Sequence, residues 1–380
     1  MSSKEKISLG HRLKFFVKNH AVVCIAAAAA LVTCFFVPPD REYLGYFDWK
    51  TLSCLFITLA VVCALRNVKF FTIIARKTVN LTGNLRVLAI VLVVMTFLGS
   101  MVLANDMALI TFLPIGYYAL SVAKKEKYSA FVFVLQNISA NLGGMLTPFG
   151  NPQNLYIYTK FNIPAGEFTL IMLPLFLLAV AMLVGCCFFL KPEKILLTED
   201  LADRLKVKKT VFLLCLFAVS VLCVFRLIDY RIALAVVTVG IIVADRRALL
   251  SVDYPLLFTF FFFFIFSGNL ARTEGVKTVM EKLLSGGVLL PSLASCQFIS
   301  NVPTAVLLSR FTDNYRELLY GVNIGGTGTL IASLASIITY SEFKLLYPGQ
   351  GGRYMKVFTL LNAVFLFVLG AAAYLLVRIG

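Results

Sequence analysis

The chain has 380 residues, of which 60% are hydrophobic and only 14% are charged. Soluble globular proteins carry roughly 25% charged residues, so the composition excludes an ordinary soluble fold. The formal net charge of +16 could suit nucleic acid, but the basic residues cluster in short stretches between apolar runs. Cytoplasmic loops of membrane proteins show this pattern, so we expect membrane lipid, and no nucleic acid, as a partner.

Long apolar runs recur along the chain and predict membrane-spanning helices, which need about 20 residues each. The runs lie at 20–37, 51–65, 87–123, 128–161, 168–190, 211–226, 232–244, 254–270, 285–311, 318–340 and 357–377. Basic residues place the segments 1–19, 66–86 and 124–127 on the cytoplasmic face. The sequence therefore predicts a multi-pass protein of the cell (inner or plasma) membrane, with a cytoplasmic N-terminus and an external C-terminus.

Two of these runs, 87–123 and 285–311, begin and end on the same face of the membrane. Each turns at a polar tip, and the tips are Ala104–Asp106 and Ser300–Pro303. The two halves of 87–123 are marginal in length for full crossings. Each of these runs is therefore either a re-entrant hairpin or a pair of full spans. With two hairpins, nine spans remain.

Two other runs are interrupted by residues that continue a helix poorly. The run 128–161 contains NLGGMLTPFGNPQN at 141–154, and 318–340 contains NIGGTGT at 323–329. Both fit the pattern N-[LI]-G-G-x-x-T. Irregular backbone at membrane depth is tolerated only where it is buried in protein or lines a wet cavity, so these stretches supply candidate residues for binding a substrate or an ion. The candidates are Asn141, Gly143, Gly144, Thr147, Asn151 and Asn154 in the first stretch, and Asn323, Gly325, Gly326, Thr327 and Thr329 in the second.

The order of two spans, a hairpin, a broken span and a span occurs twice. The helix at 211–226 adds one crossing between the two copies, so the second copy is inverted relative to the first. The predicted units are a first repeat at 1–190, with its tip near 105 and its break near 147, a linker and connecting helix at 191–231, and a second repeat at 232–380, with its tip near 301 and its break near 327. The predicted fold is an all-α polytopic membrane protein with inverted repeats, two re-entrant hairpins and two discontinuous helices, which is typical of secondary transporters.

Asp106 is the one acidic residue that we place deep in the membrane, where an ionised side chain costs roughly 2.5–3.5 kcal/mol on insertion scales. It could bind a cation, carry a proton or lie solvated at its tip. No basic residue is expected near either tip, so an anion would be held by helix ends, amides and hydroxyls. The only histidines, His11 and His20, flank the first helix, the cysteines form no CxxC pair, and no catalytic or P-loop motif occurs. We therefore expect neither an enzyme nor a cofactor.

The stretch GGMLTPFGNPQN resembles the Gly-Gly…Thr-Pro-x-Gly-x-Pro-x-Asn loop of the ion transporter superfamily, in its citrate-transporter-like branch. Relatives there include divalent anion:sodium symporters, arsenite/antimonite efflux permeases and Na⁺/H⁺ antiporters. The resemblance implies that substrate and Na⁺ bind between the tips and the broken helices. One half-site would be Asn105 with 143–151, and the other would be Ser300, Asn301, Thr304 and 325–329. Candidate Na⁺ positions lie near Asn105, Asp106 and Thr147, and near Asn301 and Thr327. The resemblance also allows a homodimer.

The sequence therefore predicts a secondary active transporter of a small anion, either a carboxylate or an inorganic oxyanion, coupled to Na⁺ or H⁺. The tips Ala104-Asn105-Asp106 and Ser300-Asn301-Val302 depart from the Ser-Asn-Thr tips of the symporters. This difference keeps two alternatives open, a cation/H⁺ antiporter and an arsenite/antimonite-type efflux permease. A channel and a membrane enzyme are weaker alternatives.

Overall fold

The computed structural model describes residues 21–195 and 205–379, and within them the fold is all-α. The first eight helices are α1 (Ala21–Phe36), α2 (Trp49–Asn67), α3 (Phe70–Asn80), α4 (Leu85–Leu103), α5 (Asn105–Val122), α6 (Ser129–Gly143), α7 (Pro152–Lys160) and α8 (Ala165–Cys187). The others are α9 (Val207–Val224), α10 (Tyr230–Leu250), α11 (Tyr254–Arg272), α12 (Glu274–Leu284), α13 (Leu289–Ile299), α14 (Asn301–Leu308), α15 (Tyr315–Ile324), α16 (Leu334–Leu346) and α17 (Gly351–Ile379). The predictions on residues 1–19, including the cytoplasmic N-terminus, lie outside the described residues.

Seven of the described helices are long and apolar enough to cross a membrane, judged by length and composition. They are α2, α4, α6 with its flanking 3-10 turns, α8, α9, α11 and α17. Large apolar side chains face outward on them, such as Leu170 on α8 and Phe367 on α17, which are 70% and 78% exposed. Water disfavours apolar surface of this kind, whereas lipid accommodates it. The chain is therefore a multi-pass membrane protein, as predicted.

Two helices that the sequence analysis did not predict, α3 and α12, precede the two hairpins. α3 buries Ile73, Ala75 and Val79 and leaves Lys77 exposed, so it is amphipathic. Because α3 carries basic residues, the sequence predicts only a cytoplasmic segment at 66–86. A short helix with one apolar face and one basic face is suited to the membrane surface.

Both predicted helix interruptions are present. α6 ends at Gly143 and is followed by a 3-10 turn, and α7 begins at Pro152. In the second half, α15 ends at Ile324 and α16 begins at Leu334. Proline at the first position of a helix has a favourable φ and no N–H to leave unpaired, which explains why α7 starts at Pro152.

The two interrupted helices run in opposite directions. Asn137 Nδ2, in the middle of α6, donates to Ser336 Oγ at 3.2 Å, and Ser333 Oγ donates to Asn141 Oδ1 at 2.7 Å. Residue numbers therefore rise along α6 as they fall along α16. At the other end of the molecule, the aromatic ring of Phe161, just after α7, packs against Tyr315 at the start of α15, with ring centroids 5.7 Å apart.

Helix α1, the first of the first half, and helix α11, the second of the second half, run parallel. Val23 at the start of α1 and Pro255 at the start of α11 line the same cavity. Near the opposite ends of these helices, Asn269 Nδ2 donates to Thr33 Oγ1 at 3.2 Å. Since consecutive spans alternate in direction, this parallel pair requires the two halves to be inverted relative to each other. The contacts support the predicted repeats, while the boundaries at 190 and 232 stay predictions.

Both hairpins turn through a single residue with positive φ. Ala104 has φ 62° and ψ 156°, and Ser300 has φ 73° and ψ 162°. Non-glycine residues adopt this region at a cost of roughly 1–3 kcal/mol, and such residues cluster at functional sites. At about 1.5 Å per residue, the arms α13 and α14, with 11 and 8 residues, are too short to cross a hydrocarbon core of about 30 Å. The second hairpin is therefore re-entrant.

Candidate functional site

Both hairpin tips face one cavity of about 310 Å³, a volume that suits a small ligand. Four predicted site residues line it, namely Asn105, Asp106, Ser300 and Asn301. Both asparagines are buried in the protein, at 7% and 4% exposure. The structure thus brings together the two tips, which lie far apart in the sequence.

Four half-length or hairpin helices begin at this cavity. Asn105 starts α5, Pro152 starts α7, Asn301 starts α14 and Leu334 starts α16, and all four residues line the cavity. The first N–H groups of a helix have no partner within it, and the helix dipole places roughly +0.5 charge there. Four such ends give a fixed charge of about +2, which favours an anion.

Two carboxylates in the cavity oppose this positive charge. Asp253 caps α11 by accepting a hydrogen bond from the backbone N–H of Leu256 at 3.0 Å. Asp106 lies in the first turn of α5, and its buried Oδ1 accepts no hydrogen bond from the residues that the structure describes. Among the described lining residues there is no Lys or Arg. The two ionised carboxylates therefore offset much of the positive charge of the helix ends, and neutralising Asp106 makes the cavity more positive.

Behind the cavity, two matched asparagines connect the halves. Asn141 Oδ1 accepts from Ser333 Oγ at 2.7 Å, so the break in the first half is bonded to the start of α16. Asn323 repeats this contact in the opposite sense, because Asn151 Nδ2, at the start of α7, donates to Asn323 Oδ1 at 3.4 Å. Asn323 Nδ2 also donates to Asn154 Oδ1 at 2.6 Å. These bonds hold the two broken helices together at the point where both are interrupted.

We expect Asn323→Ala and Asn154→Ala each to destabilise the protein by about 1–3 kcal/mol, because each leaves a buried amide without its partner. The two losses should overlap by about 1 kcal/mol in the double variant, since both remove the same 2.6 Å hydrogen bond. Denaturation of the purified single and double variants measures this coupling. Asn323→Ala combined with Asn269→Ala, whose amide contacts Thr33 and Tyr43 instead, is the additive control. If the two destabilisations add fully in the Asn323 and Asn154 pair, as in the control pair, the hydrogen bond between these side chains does not stabilise the protein.

The remaining predicted residues shape the breaks and do not line the cavity. Thr147 Oγ1 donates to the carbonyl of Met101, and Thr329 Oγ1 donates to that of Gln297, both at 3.0 Å. Each bond ties a broken helix to the hairpin arm three residues before its tip. Thr327 and Thr304 donate to carbonyls of Ile324 and Ser300. The glycines allow close approach, since a Cβ on one of them would lie within 2.1–3.1 Å of a neighbouring atom; they are Gly143, Gly144, Gly325 and Gly326.

Three residues at the site were missed by the sequence analysis. Ser333 precedes α16 as Asn151 precedes α7, so extending the repeat alignment beyond the N-[LI]-G-G-x-x-T pattern would have found it. Asp253 precedes an apolar run that starts with Tyr-Pro, which indicates only a helix cap. Gln297 lies in an apolar segment and has no motif around it.

Comparison with known proteins finds a transporter family and several proteins named as transporters. A profile described as citrate transporter matches residues 12–314. An uncharacterized transporter of Methanocaldococcus jannaschii is 32% identical over 305 residues, covering 78% of this chain and 82% of its own length. The inner membrane protein YbiR of Escherichia coli is 29% identical over 312 residues, covering 80% and 82%. The silicon efflux transporter LSI3 of Oryza sativa subsp. japonica is 30% identical over 166 residues, covering 43% and 34%.

Proposed function

Because the chain belongs to the citrate transporter family, we propose that it is a secondary active transporter that moves a small anion together with a proton. The observation that carries this proposal is the convergence of four helix N-termini on a cavity that also holds Asp106. The helix ends attract an anion, whereas the ionised carboxylates repel it. A proton on Asp106 removes one negative charge, so anion and proton bind the cavity cooperatively.

The proton is the simpler of the two predicted coupling ions. A proton needs only the carboxylate of Asp106, whose Oδ1 has no hydrogen-bond partner among the described residues. Na⁺ needs several oxygen ligands, such as the carbonyls freed where a helix is broken. Near the first tip those carbonyls are used, because Asn151 Nδ2 donates to the carbonyl of Asn141 at 3.3 Å, and Asn154 Nδ2 donates to that of Gly144 at 3.1 Å.

A thermal-stability screen of the purified protein tests the anion site. We expect a carboxylate or an inorganic oxyanion to raise the melting temperature, because a ligand that binds only the folded state stabilises it. The shift should be larger at acidic than at alkaline pH, since protonated Asp106 no longer repels the anion. Replacing choline by Na⁺ should leave the shift unchanged.

Asn301→Ala is the matched variant for this screen, because Asn301 lines the cavity. The apparent affinity of this variant for the same anion should fall at least tenfold, which corresponds to roughly 1.4 kcal/mol of binding free energy. Asn269→Ala removes a buried asparagine that donates to the hydroxyl of Tyr43 at 2.8 Å and does not line the cavity, and it should keep the wild-type affinity. Stabilisation by no anion at any pH would count against the proposed cargo.

A second candidate function is the exchange of an uncharged oxyacid for protons. Two carboxylates and no described basic side chain in the cavity suit a neutral, hydroxyl-bearing solute better than a strongly charged one. LSI3, the similar rice protein, is named a silicon efflux transporter, and the resemblance to arsenite permeases leads to the same class. Stabilisation by silicic or arsenous acid at neutral pH, with none by carboxylates, would favour this candidate.

We further propose that the cavity opens toward the cytoplasm. It is lined by the first residues of α1 and α11, and the charge pattern predicts that both helix starts lie on the cytoplasmic side. The protein would then alternate by moving the hairpins relative to α1 and α11, in an elevator or rocking motion. The cell membrane and a homodimer remain our proposals for its location and assembly.

A further inference from the structure

The second helix interruption is filled by one side chain. Gln297, on hairpin arm α13, donates from Nε2 to the carbonyls of Gly325 at 3.0 Å and Thr327 at 3.2 Å. Its Oε1 accepts from the backbone N–H of Thr329 at 2.9 Å. The two N–H bonds of Nε2 are shared among these carbonyls and that of Leu293 at 3.1 Å. A single carboxamide thus contacts three of the backbone groups that are freed between α15 and α16.

This arrangement has no counterpart at the matching position of the first half. Met101 stands three residues before the first tip, as Gln297 does before the second, and a thioether offers no N–H donor. In the first half the freed carbonyls of Gly144 and Met145 receive hydrogen bonds from Asn154 on α7, at 3.1 and 3.4 Å. Ser336 occupies the matching position on α16 and accepts from Asn137 instead. The donor at the second break therefore comes from the hairpin.

In discontinuous-helix transporters, freed backbone carbonyls of this kind coordinate the coupling cation. An amide NH₂ group carries positive partial charge and donates in the directions in which these carbonyls would otherwise bind a cation. We propose that the Gln297 side chain takes the place of a coupling cation at the second half-site, so that the protein binds its coupling ion at the first tip alone. This inference rests on the proposed function, because a protein has a coupling ion only if it is a secondary transporter. Cation binding itself can be measured without a transport assay.

Gln297→Glu tests this proposal. The glutamate has nearly the same shape, still accepts from the N–H of Thr329 and turns an oxygen toward the carbonyls of Gly325 and Thr327. Three oxygens facing one another repel unless a hard cation lies between them. We expect about 100 mM NaCl to raise the melting temperature of this variant relative to choline chloride. This Na⁺-dependent rise should exceed that of the wild-type protein by about 2 °C or more.

Gln136→Glu is the matched control, because Gln136 is a buried glutamine whose Nε2 donates to the carbonyl of Phe112 at 3.2 Å, a carbonyl inside α5 and not one freed at a helix break. It should show no Na⁺-dependent shift beyond that of the wild type. Gln297→Ala, which frees the carbonyls without adding charge, should show a smaller Na⁺-dependent rise than Gln297→Glu.

Each possible result with the Gln297 variants either supports or contradicts the proposal. Equal Na⁺ shifts in the wild type, Gln297→Glu and Gln297→Ala would overturn the proposal, whether or not the protein proves to carry an anion. If Gln297→Glu can be purified folded only in NaCl and not in choline chloride, the proposal is supported. Failure to fold in both salts, together with no Na⁺ response of Gln297→Ala, would contradict it.

Discussion

Asp106→Asn is expected to abolish proton-driven accumulation of the cargo while leaving downhill exchange in place. The amide resembles the protonated carboxyl group, so the cavity still accepts an anion but no longer carries a proton through the cycle. In proteoliposomes containing the wild-type protein, an imposed gradient of one pH unit should give about tenfold accumulation for one coupled proton. The variant should reach the same internal and external concentrations with or without that gradient.

Asp245→Asn provides the control for this experiment. Asp245 accepts from Asn67 Nδ2 at 3.2 Å and pairs with Lys209 at 3.4 Å, and it does not line the cavity. It should keep the full response to the pH gradient. Undiminished proton-driven accumulation by Asp106→Asn would remove Asp106 as the proton carrier, and a dependence of accumulation on Na⁺ would favour the other predicted coupling ion.

Gly143→Ala is expected to prevent stable folding. A Cβ at Gly143, the last residue of α6, would lie 2.1 Å from the carbonyl oxygen of Phe97 on α4. The backbone of residue 143 fixes the Cβ position, and the oxygen belongs to the backbone of Phe97, so the first hairpin and the first broken helix would have to separate. Overpacking of this kind typically costs 1–3 kcal/mol and more where the backbone must shift, so we expect a loss of at least about 3 kcal/mol. Yield of monodisperse protein and its melting temperature measure the effect.

Gly185→Ala has the opposite expected sign. Gly185 also lies near the end of a helix, α8, but a Cβ there would meet no atom within 4 Å in the described structure. Alanine is favoured over glycine in a helix by about 1 kcal/mol, so this variant should be slightly more stable than the wild type. A Gly143→Ala protein as stable as Gly185→Ala would mean that α4 and α6 do not approach closely enough to give the 2.1 Å contact.

The breaks in the helices could be predicted from sequence because glycine and proline, which continue a helix poorly, occur at the breaks themselves. Gly143 and Gly144 end α6, Pro152 starts α7, and the matching glycines of NIGGTGT end α15. The tips could be predicted for a similar reason, since polar residues such as Asn105 and Asn301 are costly in lipid unless they have a role. Matched patterns in the two halves were the decisive signal.

Residues that act through tertiary contacts could not be predicted in this way. Asp253 reaches the cavity only because α11 packs beside α1, and its local sequence is that of an ordinary helix cap. Gln297 acquires its partners only when α13 packs on the second break. Lengths also escaped prediction, because the apolar content of 285–311 does not reveal that α14 ends after eight residues.

A cryo-EM map of the protein in lipid nanodiscs tests the central claim most directly. It should show residues 144–151 and 325–333 as breaks between α-helices near the bilayer midplane, with the two interrupted helices running in opposite directions and Asn105 and Asn301 facing a shared cavity. Continuous helices through either segment, or breaks that face the lipid tails, would contradict the account.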